Sequence, residues 1–152
     1  MTALYPDEIW AVDIANFGTY EEELKANDGY RYVLILIDVF SRYLRAVPLQ
    51  RKNKDAAFKA MKEAFNETSR RPELVWTDQG GEFDNKQLET FLAANGISKY
   101  HTYGRAKAAP AERVIRTIRG MVRKEMSARN TLRWLEILPE MVRKYNSSMH
   151  TG

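Results

Sequence analysis

Three acidic residues stand where their surroundings make them costly, and jointly they describe a chemistry. Asp13 interrupts the β-rich stretch EIWAVDIANF, and Asp78 closes ELVWTD. Glu112 is the single acid between His101 and Lys124, a segment with seven lysines and arginines. Aspartate is depleted in strands, and an ionised carboxylate facing a core is unfavourable unless something pairs with it. Singly, each has an ordinary explanation. Asp13 can cap a loop, Asp78 can make an Asx-turn into Gly80-Gly81, and Glu112 can answer the dipole of a helix that begins beside it. If the strands bearing Asp13 and Asp78 are neighbours, however, two carboxylates meet at one sheet edge. With Glu112 nearby they repel and raise one another's pKa unless a cation sits between them. Oxygen-only ligation suits Mg²⁺ or Mn²⁺. Two such ions can activate an attacking oxygen and steady a leaving one in phosphoryl transfer.

The helix behind Glu112 points to a polyanionic substrate. At about 100° per residue, Arg116 lies roughly 40° from Glu112, Arg119 about −20° and Arg123 about +20°. Acid and arginines therefore share one stripe, while Val114, Ile118, Met121 and Val122 fall toward the core. A basic stripe is usually a solvated face. Its alignment with the odd glutamate favours contact with phosphates, and Arg105 and Lys107 in the preceding loop extend the set. Asp38 is expected to serve a turn or a salt bridge with Arg42, and Glu82 to orient its loop or face solvent. His101 and His150 lack metal-ligand spacing. There is no G-x-S-x-G, P-loop or dinucleotide motif and no cysteine.

These residues need elements to hold them. Strands are predicted at about Glu8–Asn16, through the continuous apolar run Val33–Ile37, in SRYLRAVPLQ with Pro48 demoting its end to a sheet edge, in RRPELVWTD and in ISKYHTY. The acidic stretch GTYEEELKANDGY reads as an insert or long loop ending in the Asp28-Gly29 turn. Helices are predicted from Asn53 to Ser69 on the stripe Phe58, Met61, Phe65, from Asp84 with Gln87 completing a capping box, from Pro110 to Ser127, and from Thr131 to Tyr145 with a break or kink at Pro139. Asn95-Gly96 should stop the second of these. GRAKAAP reads as a mobile loop. The order gives an α/β fold: a five-stranded mixed sheet flanked by helices.

A chain of 152 residues with 44% hydrophobic content is expected to form one domain. No apolar run reaches membrane-spanning length, and MTALYPDEIW lacks the basic flank and apolar core of a secretory signal. The absence of cysteine excludes disulfides and fits a reducing compartment. A net charge of +4 adds mild support for a polyanionic partner.

Four stretches, DGYRYVLILIDVFSRYLRAVPLQRK, TDQGGEF, KAAPAERVIRTIR and YNSSMH, occur in the order in which they occur in retroviral-type integrase catalytic cores. The chain resembles that family, with its D…D…E triad on a ribonuclease-H-like fold, and is most similar to integrases of Maverick/Polinton DNA transposons. The resemblance implies that Asp13, Asp78 and Glu112 are the catalytic triad and hold two Mg²⁺ or Mn²⁺ ions, and that residues 103 to 109 form the active-site loop. It implies trimming of a DNA 3′ end by water, followed by attack of the freed 3′-hydroxyl on target DNA. It also implies a homodimer of the core, a higher multimer in the full-length protein, and action in the nucleus. The family's zinc-binding N-terminal and DNA-binding C-terminal domains are not in these residues, so 1–152 is expected to be an isolated core. A cut-and-paste transposase of the same fold, or an inactive domesticated DNA-binding or dimerisation module, are the other readings.

Overall fold

The computed structural model describes residues 2–18, 20–78, 81–102 and 109–149, without the side chains of Asp78, His101 and Thr102. Five strands, β1 (Ile9–Asn16), β2 (Tyr32–Asp38), β3 (Leu44–Leu49), β4 (Leu74–Asp78) and β5 (Ser98–Thr102), pair in the order β3-β2-β1-β4-β5. The first three form an antiparallel meander, and β4 and β5 add in parallel on the other side of β1. Parallel addition requires crossovers. Here α2 (Lys54–Asn66) and α3 (Lys86–Ala94) supply them. This is the five-stranded mixed sheet expected from the order of hydrophobic periods, and the ribonuclease-H-like fold that the resemblance implied.

Strand alternation sends β1 into two cores. Ile9, Ala11 and Ala15 pack with Val114, Ile118 and Val122 of α4 (Ala109–Arg129) on one face. Trp10, Val12 and Ile14 pack with Met61 and Phe65 of α2 and Leu88 and Leu92 of α3 on the other. Being covered on both sides, β2 is apolar without alternation, and Val33 to Ile37 are all buried. Phe65 ties the second core together, its ring 5.6 Å from both Trp10 and Phe91.

Caps locate the helices more finely than the apolar stripes do. Asn53 starts α2 by accepting from the Ala56 amide. At α3 the cap is Asn85, accepting from Leu88, and not Asp84. Asn85 also donates to the Lys54 carbonyl, a tertiary bond that the capping-box pattern could not show. Gly96, with φ 70°, ends α3 as expected.

Two regions depart from the sequence-based expectation. Within the acidic stretch read as a loop, Glu21–Ala26 form a short helix, α1, whose first turn carries Glu21, Glu22 and Glu23 at its positive end. It buries none of its residues, so periodicity offered no signal. Its anchor is Asn27 at its C-terminus, fully buried. Asn27 Nδ2 donates to the carbonyls of Glu23 and Leu132, and Oδ1 accepts from the amides of Trp134 and Leu135. Those amides explain the second departure. Because they are drawn to Asn27, residues 131–136 do not begin a helix, and α5 runs only over Ile137–Met149. Pro139 is its third residue, where its missing N–H has no intrahelical duty, so it starts the helix and does not break it.

At the far edge, α5 locks β3. The buried Asn146 accepts from the Leu44 amide at 2.8 Å and donates to the Leu44 carbonyl at 2.9 Å, imitating one residue of a neighbouring strand.

Candidate active site

Asp13 lies on the β1 face that looks toward α4, half-buried, with Oδ1 accepting from the Ile14 amide at 2.8 Å. The parallel register pairs Val12 with Thr77, and the next residues along the two strands are Asp13 and Asp78. The backbone therefore sets these two aspartates side by side, as the paired-strand argument required; the Asp78 side chain lies outside the described residues. Glu112 is in the first turn of α4, also half-buried. The helix crosses the Asp13 face of the sheet because Val114, Ile118 and Val122 insert into the core shared with Ala11 and Ala15.

Asp13 and Glu112 consequently line one cleft of about 330 Å³, and Arg116 and Arg119 line it with them. Residues 99 positions apart in sequence supply its two carboxylates. Among the described residues no three acidic, imidazole or thiol side chains converge on one point. The donor chemistry nonetheless fits a hard divalent cation: both side chains offer carboxylate oxygen, and among the described residues no sulfur or imidazole lines the cleft.

The arginines of the stripe do not share one role. Arg116 is exposed at the cleft. Arg119 is half-buried, its Nη2 donating to the Asn16 carbonyl at 2.8 Å and its guanidinium 5.6 Å from the Phe17 ring centroid. Burial first, and the neighbouring Arg123 charge second, hold its pKa below the usual arginine range. Arg119 thus ties α4 to the end of β1, a task the helical stripe did not reveal, since Asn16 and Phe17 carry no motif. Arg123 is exposed but lies farther along α4, beside a separate depression with Asn130 and Leu132. Arg105 and Lys107, with the rest of residues 103–108, lie outside the described residues, while Ala109 already belongs to α4.

Of the set-aside acids, Asp38 serves a turn as expected, whereas Glu82 is engaged in an ion pair. Asp38 is buried, with Oδ1 accepting from the amides of Phe40 and Ser41 and Oδ2 from that of Asp7. It shapes the β2–β3 turn, and Arg42 takes part through its backbone, donating to the Asp38 carbonyl. Glu82 pairs with Lys52 at 3.5 Å.

Comparison with known proteins places this geometry. The integrase core domain family matches residues 4–107, which takes in Asp13 and Asp78 and stops before Glu112. A transposon-derived protein of Caenorhabditis elegans is 30% identical over 128 residues, covering 84% of this chain and 45% of its own length. The Gag-Pol polyprotein of avian reticuloendotheliosis virus is 27% identical over 137 residues, 89% of this chain and 11% of the polyprotein. The chain therefore spans under half of either relative. Among solved structures, a simian T-cell lymphotropic virus intasome bound to the PP2A regulatory subunit B56 gamma superposes with a TM-score of 0.79 at 19% identity, over 93% of this chain and 49% of the viral one. The HTLV-2 integrase catalytic core domain in complex with magnesium, in its dimeric form, gives 0.73 at 17% identity, over 91% and 86%. These structural likenesses speak for the fold, and the family match covers well over half of the sequence. With its sheet order, its crossing helix and that match in agreement, the chain belongs to the integrase core domain family of retroviral type.

Proposed function

We propose that this domain is a divalent-metal-dependent polynucleotidyl transferase acting on DNA, the catalytic core of the integrase of a Maverick/Polinton-type mobile element. The observation that carries the reading is the shared cleft: Asp13 from β1 and Glu112 from α4 face one space, with the exposed Arg116 at its side. The strand register that sets Asp78 beside Asp13 supports the same assignment.

Asp13, Asp78 and Glu112 would hold the cations, Mg²⁺ or Mn²⁺. Bound there, two such ions supply Lewis-acid activation of the attacking oxygen and charge neutralisation at the leaving one. The protein's own part is placement. Arg116 and Arg123, with Arg105 and Lys107, would hold backbone phosphates, and Arg119 keeps the Glu112 helix docked on the β1 end. In end trimming, a water oxygen forms the new bond to phosphorus and the bond to the 3′ oxygen breaks, leaving a 3′-hydroxyl. In joining, that hydroxyl attacks a target phosphodiester and releases the target's own 3′ oxygen. The proposal includes a homodimer of the core, zinc-binding and DNA-binding domains and a higher multimer in the longer protein, and nuclear action.

The test is disintegration of a branched DNA with Mg²⁺ or Mn²⁺, comparing wild type with Glu112→Gln. The substitution should lower the rate by a factor on the order of 100 or more, the scale of losing a group that acts on charge in the transition state. Equal rates would remove Glu112 from the site. A wild-type protein that binds DNA yet stays inert in full length would favour the domesticated binding module.

A further inference from the structure

Away from the carboxylate cleft, at the opposite end of β1, lies a cavity of about 540 Å³ lined by Asp7, Asp38, Ser41, Tyr43, Arg45 and Arg70 among others. Asp7 lies before the start of β1 and Asp13 in its second half, and the two cavities share no lining residue. The two spaces are distinct.

Arg45 is the unusual member. Its guanidinium contacts two rings, with Cζ 4.6 Å from the centroids of both Trp10 and Tyr43. The side chain is half-buried, and its guanidinium makes no hydrogen bond or ion pair among the described residues. Loss of solvation lowers its pKa. Contact with both rings holds the guanidinium at the cavity wall with its N–H groups uncommitted, which suits a two-oxygen anion. Arg70 supports it: Nε is engaged by Asp7 at 2.6 Å, and its terminal nitrogens bond to no described residue. The Ser41 hydroxyl accepts from the Tyr43 amide and retains its proton for donation.

Every carboxylate oxygen of the two acids in the cavity already accepts at least one hydrogen bond. Asp7 Oδ1 accepts from Trp10 Nε1 and Oδ2 from Arg70, and Asp38 accepts from three amides. The donors of Arg45, the terminal nitrogens of Arg70 and the Ser41 hydroxyl proton are the groups left to meet a ligand.

We infer that this cavity is a docking site for a carboxylate side chain of a polypeptide partner, held by the edge of Arg45 with Arg70 and Ser41 beside it. Two observations favour a polypeptide over nucleic acid. Asp7 lines the cavity, Glu8 follows it in the chain and Glu73 donates its amide to the Asp7 carbonyl, an acidic neighbourhood that opposes a backbone of many phosphates while tolerating one charge. Tyr43 and Arg45 also line an adjoining groove walled by Leu135, Leu138 and Val142, which offers apolar seats next to the anion. The site is independent of the catalytic reading.

The experiment titrates the ¹⁵N-labelled protein with a blocked tripeptide, aspartate between two leucines, and follows the indole N–H of Trp10 and the Nε–H of Arg45. The asparagine counterpart and a short DNA duplex are the other arms. Saturable shifts from the aspartate peptide alone are expected, weakened about tenfold or more by Arg45→Met, the scale of a charge-assisted pair. Arg70→Gln, which leaves the stack in place, should weaken binding less. Equal response to the asparagine peptide, response to the duplex and not the peptide, or no response would each overturn the assignment; in the last case Arg45 only covers Trp10.

Discussion

Replacing Asn27 by alanine tests whether one buried amide holds the α1 insert and the start of α5 together. The side chain makes four hydrogen bonds, two given and two accepted, and is fully buried. That is its entire capacity. Alanine removes all four and leaves the Trp134 and Leu135 amides without acceptors. A buried hydrogen bond contributes a net 0.5–1.5 kcal/mol, roughly, and an orphaned group costs about 1–3 kcal/mol. Water entering the vacated space offsets part of this, so a loss of about 3 kcal/mol is expected, with a range of roughly 2–5. For a chain of this size each kcal/mol lowers Tm by about 2–4 °C, so the shift should be about 6–12 °C. Urea denaturation followed by circular dichroism and tryptophan fluorescence measures it, the latter because Trp134 packs 5.2 Å from Phe17. A loss below about 1 kcal/mol with an unchanged denaturant slope would refute the reasoning, since the four bonds would then be replaceable by solvent.

Further outcomes are expected elsewhere. Arg116→Ala should flatten the salt dependence of DNA binding by about 0.9 in slope for one lost phosphate contact, whereas Arg119→Ala should mainly lower stability; the reverse pattern would exchange their roles. Asp38→Ala should cost about 2–4 kcal/mol through three unpaired amides while leaving Mn²⁺ binding by the folded protein unchanged, as calorimetry would show. The Tyr5 hydroxyl donates to Glu73 at 2.6 Å, and that bond pushes its pKa up to about 12. A raised phenol pKa means the contribution is complete below the unfolded value of about 10 and is lost as pH rises through the folded one. Glu73→Gln should return the Tyr5 titration, followed by ¹³C NMR, toward its ordinary range, and an unmoved curve would exclude Glu73 as the cause.

Periodicity made most of the sheet legible. The unbroken Val33–Ile37 run announced a strand covered on both faces, and the Val114, Ile118, Val122 stripe announced the crossing helix. The Asp13–Glu112 encounter was legible because each acid offends its own surroundings. What escaped was bonding that skips across the chain. Asn27 reaches residues over one hundred positions away. No local pattern encodes that reach, so α1 looked like loop and residues 131–136 looked like helix. Asn85 outranked Asp84 as a cap through its bond to Lys54, and Arg119 bonded a backbone carbonyl that has no residue identity to read.

The Asn146 clasp on Leu44 has a consequence for growth of the sheet. Since the Leu44 amide and carbonyl point away from β2, alternation turns Ala46 and Pro48 the same way. Leu44 is occupied and proline has no N–H, so an incoming strand would find a single donor, at Ala46. Ladder-wise polymerisation through β3 is thereby denied its template. Copies that meet on this flank must recognise one another by side chains, which leaves their geometry under the control of surface composition.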